Sequence, residues 1–245
     1  MAKGPDHMPA APAPSEPAQT SSRSEIESFL AQVRTLAPAD LAGGRGRLIF
    51  ALDATMSRQP TWDTACELQA GMFREAAAIG GLDVQLVYFR GLGECRASRW
   101  VSDTGVLAAT MAKIDCRGGN TQIGKVLAHA RREGEKGKVA ALVYVGDAME
   151  ENVDVLCRTA GELGMLGVRA FMFHEGHDPA AEHAFRDIAR LSGGAYCGFN
   201  AGAAHELAEL LRAAAAYAAG GMKALDDLSA RRHAGATRLI AQMRP

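Results

Sequence analysis

Two aspartates close the two most apolar stretches of the chain. Residues 47–53 read RLIFALD and residues 138–147 read KVAALVYVGD; polar turns follow, D-A-T-M-S after the first and D-A-M-E-E-N after the second. In the first turn Asp53, Thr55 and Ser57 alternate, so an extended chain points all three oxygens the same way. A third polar stretch, Gly118-Gly119-Asn120-Thr121, brings another hydroxyl, and its glycines permit a close backbone approach. Asp53, Thr55, Ser57, Thr121 and Asp147 together offer two carboxylates and three hydroxyls, with no imidazole or thiolate among them. Such hard oxygen donors suit Mg2+ or Mn2+ better than Zn2+. Mostly neutral donors leave the ion under-compensated, and an Asp or Glu of a partner protein can supply the missing anionic oxygen.

Those five residues meet only if the fold brings three turns to one rim. The 7-residue run at 47–53 is continuously apolar, as a strand buried on both faces should be. A helix is expected over 61–79, a strand over 82–90 and a more polar strand over 93–100. The Gly91-Leu92-Gly93 link between the two strands is short enough for a hairpin, so the second of them runs antiparallel at an edge. Helices follow near 103–114 and 121–133, then the strand at 138–147. Further on, a helix at 152–166 precedes the strand RAFMFH, a helix at 180–192 precedes AYCGF, and an Ala-rich helix spans 203–219. Strands alternating with helices predict a doubly wound, Rossmann-like α/β fold. Its central sheet is mostly parallel, with one antiparallel edge strand and helices on both faces. In such sheets ligands bind outside the carboxyl ends of the strands, where the strand order reverses.

Around this domain, placed at 46–220, the sequence changes character. Residues 1–22 are rich in Pro, Ala and Ser and are expected as a disordered tail. Residues 23–45 read as a short helix and linker, with Ser24 as cap and Pro38 as stop. Residues 221–245 read as a charged, partly helical appendage.

The set D-x-T-x-S, a later G-G-N-T and a still later strand-terminal Asp resembles the metal-ion-dependent adhesion site of von Willebrand factor A (VWA) domains, shared with integrin inserted domains. The usual first motif is D-x-S-x-S; Thr55 replaces its first serine and keeps the hydroxyl. The usual third motif ends Asp-Gly, whereas Ala148 follows Asp147 here. The resemblance covers residues 46–219 and implies direct ligation by Thr55, Ser57 and Thr121. It also implies that Asp53 and Asp147 act directly or through water, and that the rim grips a protein partner. Arg58, Trp62, Asn120, Glu150 and His174 are the candidates for contact with that partner.

Other readings of the same residues compete. Asp53, Thr55 and Ser57 are also ordinary turn residues. Residues 119–125, GNTQIGK, match a phosphate-binding loop up to the lysine, but Val126 stands where a magnesium-binding Ser or Thr belongs. The stretch His174-Glu175-Gly176-His177-Asp178 suggests a second metal site, and more simply a polar loop leading to Pro179. Glu150 and Glu151 read as a solvated helix start, with Asn152 as N-cap, and Trp62 reads more readily as core. A metal-dependent phosphohydrolase would also place Asp53 at a strand end, yet it needs a second acid where Thr55 stands. A metal-free scaffold is the third alternative. With 245 residues, 48% hydrophobic composition, 22% charged residues and a net charge of −1, the chain has no basic field for nucleic acid. No apolar run reaches the ~20 residues that cross a bilayer. Five scattered cysteines without a C-x-x-C pair, and no apolar stretch behind the one early lysine, make a cytoplasmic protein the expectation.

Overall fold

The computed structural model describes residues 45–56, 59–200 and 203–243. The tail expected at 1–22 and the helix expected at 23–45 lie outside these residues, Arg45 excepted. Strand β1 (Gly46–Asp53) is buried on both faces, as its unbroken apolar run requires. Leu48, Phe50 and Leu52 enter one core and Ile49 and Ala51 the other. Helix α1 (Gln59–Ala77) leads to β2 (Leu82–Arg90), which pairs parallel with β1. Gly91, with φ 61°, makes the tight turn into β3 (Glu94–Val101), and β3 runs antiparallel to β2.

Helices α2 (Thr104–Met111) and α3 (Ile123–Lys136) carry the chain across the sheet to β4 (Ala141–Gly146). After β4 come α4 (Val153–Met165), β5 (Arg169–Glu175), α5 (Pro179–Ser192), β6 (Ala195–Phe199), α6 (Ala204–Ala230) and α7 (Ala234–Met243). The sheet order is β3-β2-β1-β4-β5-β6, and every pairing but β2–β3 is parallel. One core gathers α1, α2, α6 and α7 against the sheet; the other gathers α3, α4 and α5. Asp103, Asn152 and Asp178 cap α2, α4 and α5 by accepting the backbone N–H of Val106, Val155 and Ala181.

The helix expected at 203–219 breaks at Gly221 (φ 66°, ψ −156°), which lets the helical turns up to Ala230 swing back onto the core. Residues 221–243 thereby add Leu225, Leu228 and Leu239 to the buried cluster. They also cover the outer edge of β6. Gln242 donates its Nε2–H to the Tyr196 carbonyl (2.7 Å) and accepts the Tyr196 N–H on Oε1 (3.0 Å), as a neighbouring strand would. Arg238 donates to the Gly198 carbonyl nearby.

Candidate metal centre

Strand order reverses at β1: its chain successor β2 lies on one side and β4 on the other. The crevice between the carboxyl ends of β1 and β4 is the switch point of the sheet. Leu52 pairs with Val145, so Asp53 stands beside Gly146 and Asp147 follows one residue further. Adjacent strands are ~4.8 Å apart, which brings the two strand-end aspartates to one rim.

Asp53 is only 3% exposed, and its Oδ1 accepts the Thr55 N–H at 2.8 Å, folding the chain back over the strand end. Thr55 is buried as well, while Met56 beyond it is exposed. Ser57 and Arg58 lie outside the described residues.

The segment before α3 is stitched to the same rim. The Arg117 N–H donates to the Ala54 carbonyl at 2.9 Å, directly behind Asp53. The Asn120 N–H donates to the Gly91 carbonyl (3.3 Å), and Gln122 Nε2 donates to the Arg90 carbonyl (3.2 Å). Gly119 rests on the β2–β3 turn so closely that a β-carbon there would stand 2.2 Å from the Gly91 oxygen. Thr121, buried, accepts the Glu150 N–H on Oγ1 (3.2 Å) and donates its own N–H to the Glu150 carboxylate (3.3 Å). This reciprocal pair fastens the Thr121 turn to the one that carries Asp147. Asn120 and Glu150 are both exposed on the rim.

Glu151 makes the second fastening. No side chain caps α3 at Gln122; instead the Glu151 carboxylate accepts the N–H groups of Ile123 and, at 2.9 Å, Gly124. It is half-buried, and burial pushes its carboxyl above the ordinary range. Sequence reasoning took Glu151 for a solvated helix start. The missing N-cap at residue 122 was the signal, since those amides need a partner from elsewhere. The same contact disposes of the phosphate-loop reading. The helix amides that would cradle a phosphate are held by Glu151, and Lys125 points its Nζ at the Gly93 carbonyl (2.8 Å) and Gln122 Oε1 (2.9 Å).

Two residues expected on the rim are instead interior. Trp62 is 2% exposed and sits edge-on to Tyr88, because the first turns of α1 pack flat on the sheet. His174 is 0% exposed: it belongs to β5, paired with Gly146, and not to a polar loop. Its Nδ1 lies 3.0 Å from the Tyr196 hydroxyl, and its ring meets Phe185 edge-on. Glu175 ends β5 almost buried and accepts the Thr61 hydroxyl, which ties the first turn of α1 to the rim. Gly176, His177 and Asp178 form the expected loop leading to Pro179, with Asp178 as the cap of α5.

Burial holds His174, and likewise His129 and His233, below the ordinary histidine value of 6.5. A depressed histidine binds fewer protons folded than unfolded, so stability is full above that value and is lost as pH falls through it. The melting temperature is therefore expected to drop between pH 7 and pH 5, and more gently in His174→Phe. Equal slopes in the parent and the variant would remove His174 from the account.

Among the described residues no three His, Cys, Asp or Glu side chains cluster as a metal site. The side chains expected to hold a cation are carboxylates and hydroxyls, donors suited to a hard cation. No protein-family model matches the sequence, and no curated protein is similar to it in sequence. Solved structures are similar in fold. The SpRpn10 VWA domain is 15% identical with a TM-score of 0.52, over 73% of this chain and 98% of that domain. Proximal thread matrix protein 1 from the mussel byssus is 19% identical with a TM-score of 0.57, over 82% of this chain and 53% of that one. A second structure of the mussel protein, with zinc occupying its MIDAS (metal-ion-dependent adhesion site) motif, aligns at 19% identity with a TM-score of 0.56, over 80% and 52%. The chain spans nearly all of the SpRpn10 domain and about half the length of the mussel protein. It has the fold of von Willebrand factor A domains.

Proposed function

We propose that this chain is a protein-binding module that holds a divalent cation at the rim between β1 and β4 and offers the ion to an acidic residue of a partner. The observation that supports the reading is that the turns bearing Asp53 and Thr55, Thr121, and Asp147 are fastened to one another at the carboxyl ends of β1 and β4. In it Asp53 and Asp147 supply the negative charge, and Thr55 and Thr121 supply neutral oxygens. Ser57 joins them through the motif resemblance. Thr121 Oγ1 accepts one N–H, from Glu150, and an sp3 oxygen has a second lone pair for a ligand. The bound ion would contribute an under-compensated positive charge in a half-dry crevice, where a carboxylate is attracted far more strongly than in water. Asn120 and Glu150 border the approach.

Mg2+ or Mn2+ is the proposed ion because the donors are oxygens alone. The mussel protein carries zinc at its motif, so Zn2+ is the natural comparison ion. We read the domain as a binder and not an enzyme. The position two residues after Asp53 holds Thr55 and no second acid, and the His129 and His174 rings face Gln85 and Tyr196, not a nucleophile. A reducing compartment, such as the cytoplasm, suits the five free cysteines. Burial pushes the Cys66 thiol up to about 11 and raises those of Cys95, Cys157 and Cys197.

Affinity capture with the parent chain, Thr121→Ser and Thr121→Ala, each with and without EDTA, tests the reading. Partners are expected on the parent and on Thr121→Ser, and are expected to be lost with Thr121→Ala or with EDTA. The same proteins retained in every arm would contradict it.

A further inference from the structure

The two edges of the sheet are treated differently. The β6 edge is covered by α7, whereas β3 ends the sheet with no strand beyond it among the described residues and no fully buried side chain along its length. A sheet edge with no strand beyond it among the described residues is a template for one more strand.

Beside that edge runs a cationic row. Lys125, His129 and Arg132 lie at i, i+4 and i+7 on α3, so they share one helix face. They look across a groove of about 250 Å³ at Cys95, Arg96 and Ala97 of β3. Little of this charge is neutralised locally. The Lys125 ammonium touches only neutral acceptors, the Gly93 carbonyl and Gln122 Oε1. No described carboxylate pairs with Arg132. Arg96 stands opposite Tyr88 and shares the Glu94 carboxylate with Arg90 on the other face of the sheet, so the charge beside the groove is that of Lys125 and Arg132. The nearest acid of α3, Glu133, is engaged by Trp100 Nε1 (3.0 Å) and by Lys136 (2.7 Å). On a chain of net charge −1 this is a concentrated positive strip.

Edge and strip together specify the ligand. A strand added to β3 sends alternate side chains to the α3 side. Lys125 and Arg132 are roughly 10 Å apart along the helix axis. Alternate strand residues advance by about 6.7 Å, a difference that long, flexible cationic side chains absorb. We propose that the β3 edge and the Lys125–Arg132 face of α3 form a second docking site, for an extended acidic peptide segment with carboxylates at alternate positions. The segment pairs with β3 as a seventh strand, and its carboxylates meet Lys125 and Arg132. This site is separate from the metal rim and needs no cation.

The probe is a fluorescent ten-residue peptide of alternating Glu and Val, titrated with the full chain in EDTA and followed by anisotropy. Saturable binding is expected, weakened about tenfold by Arg132→Glu and unchanged by Asp53→Ala. Thermal melting confirms that Arg132→Glu, an exposed helical substitution, stays folded. N-methylation of the peptide in one alternate frame should abolish binding, while the other frame should preserve it, because only one set of amides faces β3. The same residues with the glutamates in one block, a Lys-Val peptide and a single-stranded oligothymidine should bind at least about tenfold more weakly. The proposal is overturned by absent binding, by equal affinity of Arg132→Glu, by equal affinity of both methylated frames, or by an oligonucleotide that binds as tightly as the peptide.

Discussion

Asp53→Ala should erase the thermal stabilisation that Mg2+ or Mn2+ confers on the parent chain. A ligand at a hundredfold its dissociation constant stabilises the folded state by about 2.7 kcal/mol. For a domain of this size that corresponds to roughly 5–10 °C. The substitution also has a metal-free cost. The Thr55 N–H, now 2.8 Å from Asp53 Oδ1, would lose its acceptor in a buried place, worth about 1–3 kcal/mol. Asp53→Asn separates the two effects, since an amide oxygen still accepts the Thr55 N–H while the charge is gone. Scanning fluorimetry over Mg2+, Mn2+ and Zn2+ is expected to show a lower starting point and a flat response for Asp53→Ala. Asp53→Asn should start near the parent value and respond weakly. A full response in Asp53→Ala would sink the metal reading while leaving the fold untouched.

Gly119→Ala is the second large effect expected. The new methyl would stand 2.2 Å from the oxygen, 2.4 Å from the nitrogen and 2.5 Å from the carbonyl carbon of Gly91. All three are backbone atoms of a tight turn, so no flexible side chain can yield. The segment carrying Thr121 must lift away, giving up the Asn120 and Gln122 hydrogen bonds to that turn. A destabilisation of about 3 kcal/mol is expected, together with loss of the cation response. Gly118→Ala is the control, because a β-carbon there meets nothing within 4 Å. It should change stability by less than about 0.5 kcal/mol and keep the response. Denaturant melts with and without Mg2+ measure both quantities. If Gly119→Ala behaved like Gly118→Ala, the seating of the Thr121 segment on the β2–β3 turn would be wrong.

What could be read from the residues follows a physical division. The β1 and β4 runs were legible because strands buried on both faces are apolar without interruption and stop at the first residue that must reach the rim. The β2–β3 hairpin was legible from Gly91 and Gly93 alone. Long-range partners were not. Glu151 caps α3 from another turn, 28 residues away in sequence, and Gln242 completes the edge of β6 from 46 residues away. Neither leaves a local signature beyond an unmet need at the receiving end. His174 misled because its polar neighbours suggested a loop, whereas pairing with Gly146 and the hydroxyl of Tyr196 make a buried ring tolerable inside β5. Trp62 follows the first motif directly, yet it packs on Tyr88 as core, the reading its residue type favoured over contact with a partner. The Ala-rich helix breaks at Gly221, close to its expected end, and the helical turns beyond bury Leu225 and Leu228.

The candidate site itself was legible as a set of oxygens, and less so as a structure. Spacing brought out Asp53, Thr55, Thr121 and Asp147. The anchoring that holds their turns together came from Glu150, Glu151 and the backbone of Gly91, which no spacing rule singles out. The most direct test of the metal rim is a crystal grown in Mn2+ and measured for its anomalous signal. The account predicts one peak at the crevice between β1 and β4, about 2.0–2.2 Å from oxygens of this set. A crystal in Mn2+ with no peak there, or with the ion held only by other residues, would contradict it.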